Sequence, residues 1–410
     1  MMVRNQAQGG IPMLSRIRQS YEHTIYASYL GYVTQAIVNN FAPLLFVTFA
    51  AAYGLRVEQI TLLTTVNFLV QLCVDLISAR VVDRIGYRPC IVAAHVLAAA
   101  GLIGLAVLPD VLGPYAGLMV AAVLYAVGGG IIEVLISPIV ESCPTKKKEA
   151  AMSLLHSFYC WGHVFLVLVS TAFFALFGMD SWRVLACLWA LVPLANVAYF
   201  LLVPLFPVVQ GGERQLSIRE LFSRRVFLLL LILMVCAGAS EQAMSQWASA
   251  FAESGLHVSK AVGDLAGPCA FAILMGLARA LYGRFSDRLP LTVCMGGSAV
   301  LCIGCYLAAA LSGQPLLALI GCALCGFSVG IFWPGTFSLA ARTLPGGGTA
   351  MYALMALAGD LGCSAGPTLV GFTAGAAGES LQAGLLPALI FPVVILAGAL
   401  VLRRRGTAKA

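Results

Sequence analysis

Twelve apolar runs, each about as long as a bilayer is thick, constrain the fold of this 410-residue chain more than any other feature. An α-helix rises 1.5 Å per residue, so about 20 apolar residues cross the hydrocarbon core of a membrane. The runs occupy approximately residues 25–53, 58–80, 89–108, 114–141, 150–178, 183–206, 226–252, 260–284, 290–311, 315–341, 348–376 and 383–402. Backbone N–H and C=O groups find no water inside a bilayer, and a helix bonds all of its own. We therefore predict an all-α integral membrane protein with 12 transmembrane helices.

The composition is typical of a membrane protein rather than a soluble one. Hydrophobic residues make up 60% of the chain and charged residues only 10%, whereas a soluble domain is about 25% charged. The net charge of +7 does not indicate a nucleic-acid partner, because Lys and Arg are spread over the short loops between apolar runs. The expected partner is instead the lipid bilayer.

The longest polar link between runs, VVQGGERQLSIRELFSRR, divides the spans into two sets of six. We expect an N-terminal half over residues 1–208, a linker over 209–225 and a C-terminal half over 226–410. Almost all Lys and Arg residues lie on the side that carries this link and both chain ends, and only three lie in loops on the other side. Positive charge accumulates on the cytoplasmic side of membrane proteins. We therefore predict a multi-pass protein of the cell (inner) membrane with both termini in the cytoplasm.

A short motif recurs at matching places in the two sets of spans. The loop after the second run reads SARVVDRIGYRP and the loop after the eighth reads YGRFSDRLP. Such recurrence is typical of a transporter built from repeats. The first copy, D-R-x-G-x-R-P, resembles the loop signature of the major facilitator superfamily, and the resemblance covers the whole chain. It implies the major facilitator fold, with gating residues that latch the two halves on the cytoplasmic side: Asp83, Arg84, Arg88, Asp287 and Arg288. The alternative is that these loops only anchor the topology.

Ionisable residues within the spans are candidates for function, because a charge inside a bilayer is costly and usually faces a cavity. Glu133 lies in the fourth span, within GGGIIEVLISP (residues 128–138). In the fifth span His156, Tyr159 and His163 are spaced i, i+3, i+7 and share one helix face. Such a polar, aromatic stripe must line water, a ligand or another helix.

The fourth and fifth spans together resemble the fucose–proton symporter branch of sugar transporters. The pattern G-x-G-x-x-E-x-x-x-(N/S)-P, followed by L-x-x-x-F-x-x-x-G, is carried by Gly128, Gly130, Glu133, Ser137 and Pro138, then by Leu154, Phe158 and Gly162. The resemblance implies that Glu133 lies in a central cavity and takes part in proton-coupled sugar transport. It also implies that His156 and Tyr159 occupy positions that contact the sugar.

The first span departs from that branch at one position. Its Asn39–Asn40 pair matches an Asn-Asn of the family, but Pro43 stands where the family has a second coupling carboxylate. A relay of two carboxylates cannot be carried over intact, which leaves uniport and sodium coupling open. The span also offers Tyr32, Gln35 and Asn39 at i, i+3, i+7, a polar face suited to hydroxyl groups, with packing alone as the alternative.

The seventh and tenth spans add residues suited to a sugar. Glu241 and Gln242 precede Trp247 in a G-x-x-E-x-x-x-x-x-W pattern that resembles sugar transporters, including sodium-dependent glucose carriers. Carboxylate and amide groups bond sugar hydroxyls, and the indole rings of Trp247 and Trp333 are candidates to stack on the C–H face of a sugar. Packing is the alternative role for each indole.

The eleventh span combines a carboxylate with a face of small residues. Gly359, Gly362 and Gly366 recur at a spacing that predicts close packing against another helix. Asp360 lies beside that face and is a candidate to bind a cation, to pair with Arg279 or to gate the halves.

These features predict a secondary active transporter that moves a sugar or similar small polar solute by alternating access, with proton-coupled uptake. The expected substrate-binding residues are Gln35, Asn39, Asn40, Glu133, His156, Tyr159, His163, Glu241, Gln242, Trp247 and Trp333. Glu133 and Asp360 are the expected ion-coupling residues. The alternatives are a drug or metabolite exporter of the same superfamily, a sugar uniporter and a sodium symporter.

Motifs for other kinds of chemistry are missing from the sequence. It has no G-x-x-x-x-G-K loop and no H-E-x-x-H. We therefore expect no enzymatic activity, no catalytic or metal site and no cofactor. The expected partners are a sugar-like solute, a coupling cation (a proton, with sodium as the alternative) and lipid, for a protein that works as a monomer.

Overall fold

The computed structural model describes residues 17–145, 148–206, 216–285, 290–344 and 347–407. Within these ranges, twelve helices are long and apolar enough to cross a membrane, which confirms the predicted architecture. In chain order they are α1 (Tyr21–Tyr53), α2 (Val57–Ile77), α3 (Tyr87–Leu112), α4 (Pro114–Ser142), α5 (Leu154–Phe177), α6 (Met179–Leu202), α7 (Arg225–Gly255), α8 (Lys260–Tyr282), α9 (Leu291–Leu311), α10 (Pro315–Thr343), α11 (Ala350–Ala376) and α12 (Leu381–Arg404). Twelve crossings place the two ends of the described chain, residues 17 and 407, on one side of the bundle, called here the terminal side; the other is the far side.

The predicted linker contains regular structure. A short helix, Ile218–Ser223, begins with a capping box in which the backbone N–H of Ser217 donates to Glu220 Oε2 over 2.8 Å. Leu221 of this helix is buried, and α7 follows from Arg225. The preceding part of the link, 207–215, lies outside the described residues.

Prolines interrupt two of the helices that surround the centre of the bundle. In α1 the regular helix ends at Asn40, and a 3₁₀ turn over Ala42–Leu45 contains Pro43. In α10 the helix breaks between Val329 and Phe332, just before Pro334. Proline has no N–H, so the carbonyl four residues before it loses its helical donor.

Long polar side chains bond both of the carbonyls that these prolines release. Gln246 Nε2 of α7 donates to the carbonyl of Asn39 over 3.1 Å, four residues before Pro43. Arg279 Nε of α8 donates to the carbonyl of Gly330 over 3.2 Å, four residues before Pro334. Irregular backbone within a membrane is stable only where such partners are present.

The glycine face of α11 packs closely on α7, as its sequence predicts. A Cβ atom added at Gly362 would overlap the carbonyl of Val235, and one added at Gly366 would overlap the backbone of Ala239. Only glycine lets two helix backbones approach this closely. The contact fixes the position of Asp360 relative to α7.

α2 and α11 run along each other and join the first six spans to the last six. Near the far side Gly375 lies against the side chain of Glu58, and Gly371 lies against Thr61. Farther in, the hydroxyls of Thr65 and Thr368 are 2.5 Å apart. We call this line of contacts the α2–α11 seam.

Candidate functional site

A cavity of about 130 Å³ lies between the first six spans and the last six. Its lining comes from α1, α2, α4 and α5 of the N-terminal half and from α7, α8, α10 and α11 of the C-terminal half. The lining residues are Tyr32, Gln35, Asn39, Phe68, Gln71, Glu133, His156, Tyr159, Glu241, Gln242, Arg279, Trp333, Asp360 and Cys363. The same four positions of each six-helix set contribute, so the cavity lies at the interface between the two sets.

On the N-terminal side of the cavity, amides form a connected network around Glu133. Gln35 Nε2 donates to Glu133 Oε2 over 2.9 Å and to Gln71 Oε1 over 3.0 Å. Gln71 Nε2 donates in turn to Asn39 Oδ1 over 2.8 Å and to Asn67 Oδ1 over 3.0 Å. Each amide orients the next, because a carboxamide that accepts from one neighbour and donates to another is held in one orientation.

One acceptor of this network has no partner. Gln35 Oε1 is buried and has no hydrogen-bond partner among the described residues. A buried acceptor without a partner is unfavourable, so a donor supplied by a solute would be stabilising there.

On the C-terminal side, Glu241 and Arg279 form an ion pair whose closest atoms, Arg279 Nη2 and Glu241 Oε2, are 3.5 Å apart. Gln242 Nε2 donates to the other carboxylate oxygen of Glu241 over 3.3 Å. Arg279 Nη1 also donates to Cys160 Sγ over 3.4 Å, which connects α8 to α5 of the N-terminal half. The guanidinium is therefore engaged on several sides and serves the cavity as a fixed positive charge.

A second pair of acidic groups lies on α2 and α11. The carboxyl of Asp360 has the carboxyl of Asp75 as a hydrogen-bond partner, and the carboxyl of Glu133 lies near the pair. Asp360 is 7% exposed and lines the cavity. Sequence analysis identified Asp360, and the partner it meets is Asp75 rather than Arg279.

Aromatic and imidazole rings complete the lining. His156 packs edge-on against the ring of Tyr32, with the ring centroids 5.4 Å apart. Trp333 lies against Gly359 of α11, where a Cβ atom would overlap the indole ring. Glycine at this position therefore leaves the space that the Trp333 ring occupies at the cavity wall.

Three residues predicted to bind substrate are outside the cavity lining. Asn40 donates to the carbonyl of Ala36 over 2.9 Å and to the hydroxyl of Tyr159 over 3.3 Å, so it supports the wall from behind. His163 is only 2% exposed, two turns along α5 from His156. The indole N–H of Trp247 donates to the carbonyl of Pro367 over 3.0 Å, and its ring packs on Phe46. Trp247 joins α1, α7 and α11 and does not reach the cavity.

Sequence analysis did not assign five of the lining residues to the site. Tyr32 and Arg279 were considered but left out, and Phe68, Gln71 and Cys363 were missed. A signal for Gln71 was present in the sequence. Asn67, Gln71 and Asp75 follow one another at intervals of four residues and form a polar face on α2.

The predicted gating loops are only partly described. Asp287 and Arg288 lie outside the described residues, and the side chain of Asp83 is not described either. Arg84 is exposed. Arg88 donates to the carbonyls of Phe200 over 2.6 Å and Val203 over 2.9 Å at the end of α6, so here it caps a helix of its own half. The gating role of these residues stays a prediction.

The chain belongs to the Major Facilitator Superfamily, whose family model matches residues 28–367. It is thus a multi-pass membrane protein of a transporter family, as the loop motif indicated. A search of curated proteins found no match.

Solved structures of several transporters share the fold. A D-xylose–proton symporter has a TM-score of 0.74 at 14% identity, over 93% of this chain and 97% of that one. A nucleoside transporter has a TM-score of 0.74 at 14% identity, over 93% and 98%. The fucose:proton symporter of E. coli has a TM-score of 0.60 at 17% identity, also over 93% and 98%. At these identities the likeness shows the fold alone.

Proposed function

We propose that this protein is a secondary active transporter that takes up a sugar or a similar small polyhydroxylated solute across the cell membrane, coupled to protons. It works as a monomer by alternating access, in which the two six-helix halves rock around the cavity. The solute is moved unchanged, and no enzymatic step is part of the proposal.

The polar lining of the cavity is the observation that carries this proposal. All lining residues except Phe68, Trp333 and Cys363 carry a carboxyl, amide, hydroxyl, imidazole or guanidinium group. A solute with many hydroxyls can satisfy such groups by both donating and accepting. An amphiphilic drug has few donors and acceptors to offer such a lining and would leave Gln35 Oε1 without a partner, at a cost. The lining therefore favours a polar solute over an amphiphilic one.

The solute contacts follow from the groups that remain available. Gln35 Oε1 accepts from one hydroxyl, and the indole of Trp333 packs against a C–H face of the ring. Glu133 is the group that binds the coupling proton. When Glu133 is neutral, the cavity, which already holds Glu241 and Asp360, carries less negative charge. Binding of the proton and binding of the solute then favour the same conformer.

The substrate class is tested by counterflow in liposomes that contain the purified protein. We expect exchange of at least one radiolabelled sugar or polyol from a panel, with no requirement for an ion gradient. Efflux of amphiphilic cations without any sugar exchange would contradict the proposal and support the exporter alternative. Liposomes without protein supply the background.

A further inference from the structure

Asp75 and Asp360 meet at the inner end of the α2–α11 seam. Going inward from the far side, the seam pairs Glu58 with Gly375, Thr61 with Gly371 and Thr65 with Thr368. α2 and α11 run in opposite directions through the bundle, so the same register continued inward brings Asp75 to Asp360. Their carboxyl groups are hydrogen-bond partners across the two halves.

Two carboxyl groups that are in contact and mostly buried do not both carry charge at acceptable cost. One shared proton converts their repulsion into a hydrogen bond from the acid of one to the carboxylate of the other. Oδ1 of Asp75 is buried, and no donor group among the described residues bonds it, so little besides the shared proton favours contact. Loss of that proton leaves two adjacent negative charges at the point where the halves meet.

We propose that Asp75 and Asp360 share one proton in the conformation described here, and that release of this proton opens the α2–α11 seam. The pair is then a second proton-binding element beside Glu133. The first span cannot supply one at position 43, because Pro43 stands there instead of a carboxylate. In the step itself no covalent bond other than the O–H bond changes: one proton leaves the pair for water, and the pair gains one negative charge. A role of this proton release in solute uptake rests on the proposed function. The opening of the seam on proton release does not depend on it.

Other ionisable groups face the pair and define its electrostatic setting. Glu133 of α4 adds a third carboxyl to the two and strengthens their repulsion when it is charged. Glu241 of α7 is held by Arg279 of α8, so this ion pair contributes little net charge. Cys363, one turn along α11 from Asp360, adds a thiol to the cavity lining. Within the described residues that line the cavity, Arg279 is the only fixed cation, and it is directed to Glu241.

Hydrogen exchange measured by mass spectrometry tests the proposal without any solute. Peptides that cover residues 58–65 and 364–375 report on the seam, and their exchange rates are corrected for the intrinsic effect of pH. In the wild type we expect these peptides to exchange roughly tenfold faster at about pH 8 than at about pH 5, because the deprotonated pair repels. Peptides of α3, which lies away from the seam, are the internal reference.

Two single variants, one on α2 and one on α11, each remove the repulsion between the two carboxylates. In Asp75→Asn and in Asp360→Asn the amide N–H donates to the remaining carboxylate, so contact persists in either charge state. We expect both variants to exchange slowly at both pH values. Two variants make the test useful even if one of them does not fold. Asp180→Asn changes an exposed carboxylate outside the cavity and is expected to keep the pH response of the seam in full. Glu133→Gln is expected to keep a smaller response, because the third carboxyl no longer adds to the repulsion of the pair.

Three results would overturn this inference. The first is equal exchange of the seam peptides at both pH values in the wild type. The second is a pH response of wild-type size in both Asn variants. The third is loss of the pH response in Glu133→Gln. If no polar solute is exchanged in counterflow while the seam still responds to pH in this way, the proposed function is wrong. The inference that the shared proton controls opening of the seam is then still supported.

Discussion

Replacing Glu133 with Gln is expected to abolish pH-driven solute accumulation and to leave counterflow largely intact. Gln35 Nε2 donates to Glu133 Oε2 over 2.9 Å, and the amide oxygen introduced by the substitution can accept the same bond. The variant therefore keeps the network of the neutral, loaded state but can no longer release a proton. Accumulation driven by a pH gradient should fall about tenfold or more, to the level of equilibration, while counterflow stays within about threefold of the wild type. Both are measured in the same liposome preparation.

The control for this prediction is Asp180→Asn, which changes an exposed carboxylate outside the cavity. It should accumulate solute as the wild type does. Loss of both accumulation and counterflow in Glu133→Gln would make Glu133 a binding or folding residue. Retention of both would remove it from coupling altogether.

Arg279→Met is expected to destabilise the protein strongly, because it leaves Glu241 in the cavity without its cation. Breaking a buried ion pair by removing one partner costs about 3–5 kcal/mol. The lower part of that range is expected here, since the pair is 3.5 Å apart and the Arg279 side chain is 23% exposed. The change also leaves the carbonyl of Gly330 without a donor. A lower midpoint of thermal unfolding in detergent is the readout.

A double variant and a surface pair separate the causes of this effect. Arg279→Met combined with Glu241→Gln removes both charges, so it should recover a large part of the lost stability without restoring uptake. Arg183→Met breaks an ion pair with Asp110 whose side chains are 39% and 59% exposed, and exposed pairs contribute about 0–1 kcal/mol. A wild-type midpoint in Arg279→Met would show that the pair does not stabilise the fold.

The helices of this protein could be predicted from sequence because a bilayer leaves few alternatives. An apolar run such as 114–141 has no way to satisfy its backbone in lipid except as a helix, and the structure has α4 over Pro114–Ser142. Much of the site could be predicted for a related reason. Glu133, His156 and Tyr159 are too costly to face lipid, so the cavity was the remaining environment for them, whereas His163 of the same stripe is buried outside it.

The contacts between helices could not be predicted, because they depend on the register of one helix on another. Asp75 and Asp360 are far apart in sequence, and no local pattern shows that α2 and α11 bring them together. Trp247 was predicted to bind solute, but the nearest acceptor for its N–H is the carbonyl of Pro367. The prolines carried a readable signal: Pro43 and Pro334 each free a carbonyl, but only the fold shows that Gln246 and Arg279 bond them.

Net accumulation of a polar solute under an imposed pH gradient tests the central claim most directly. Purified protein in liposomes is given a solute from the counterflow panel, with a proton gradient, a sodium gradient or none. We predict that the internal concentration rises above the external one only with an inward proton gradient, and that a protonophore abolishes the rise. Accumulation driven by sodium alone, or equilibration without accumulation under every gradient, would contradict proton coupling at this cavity.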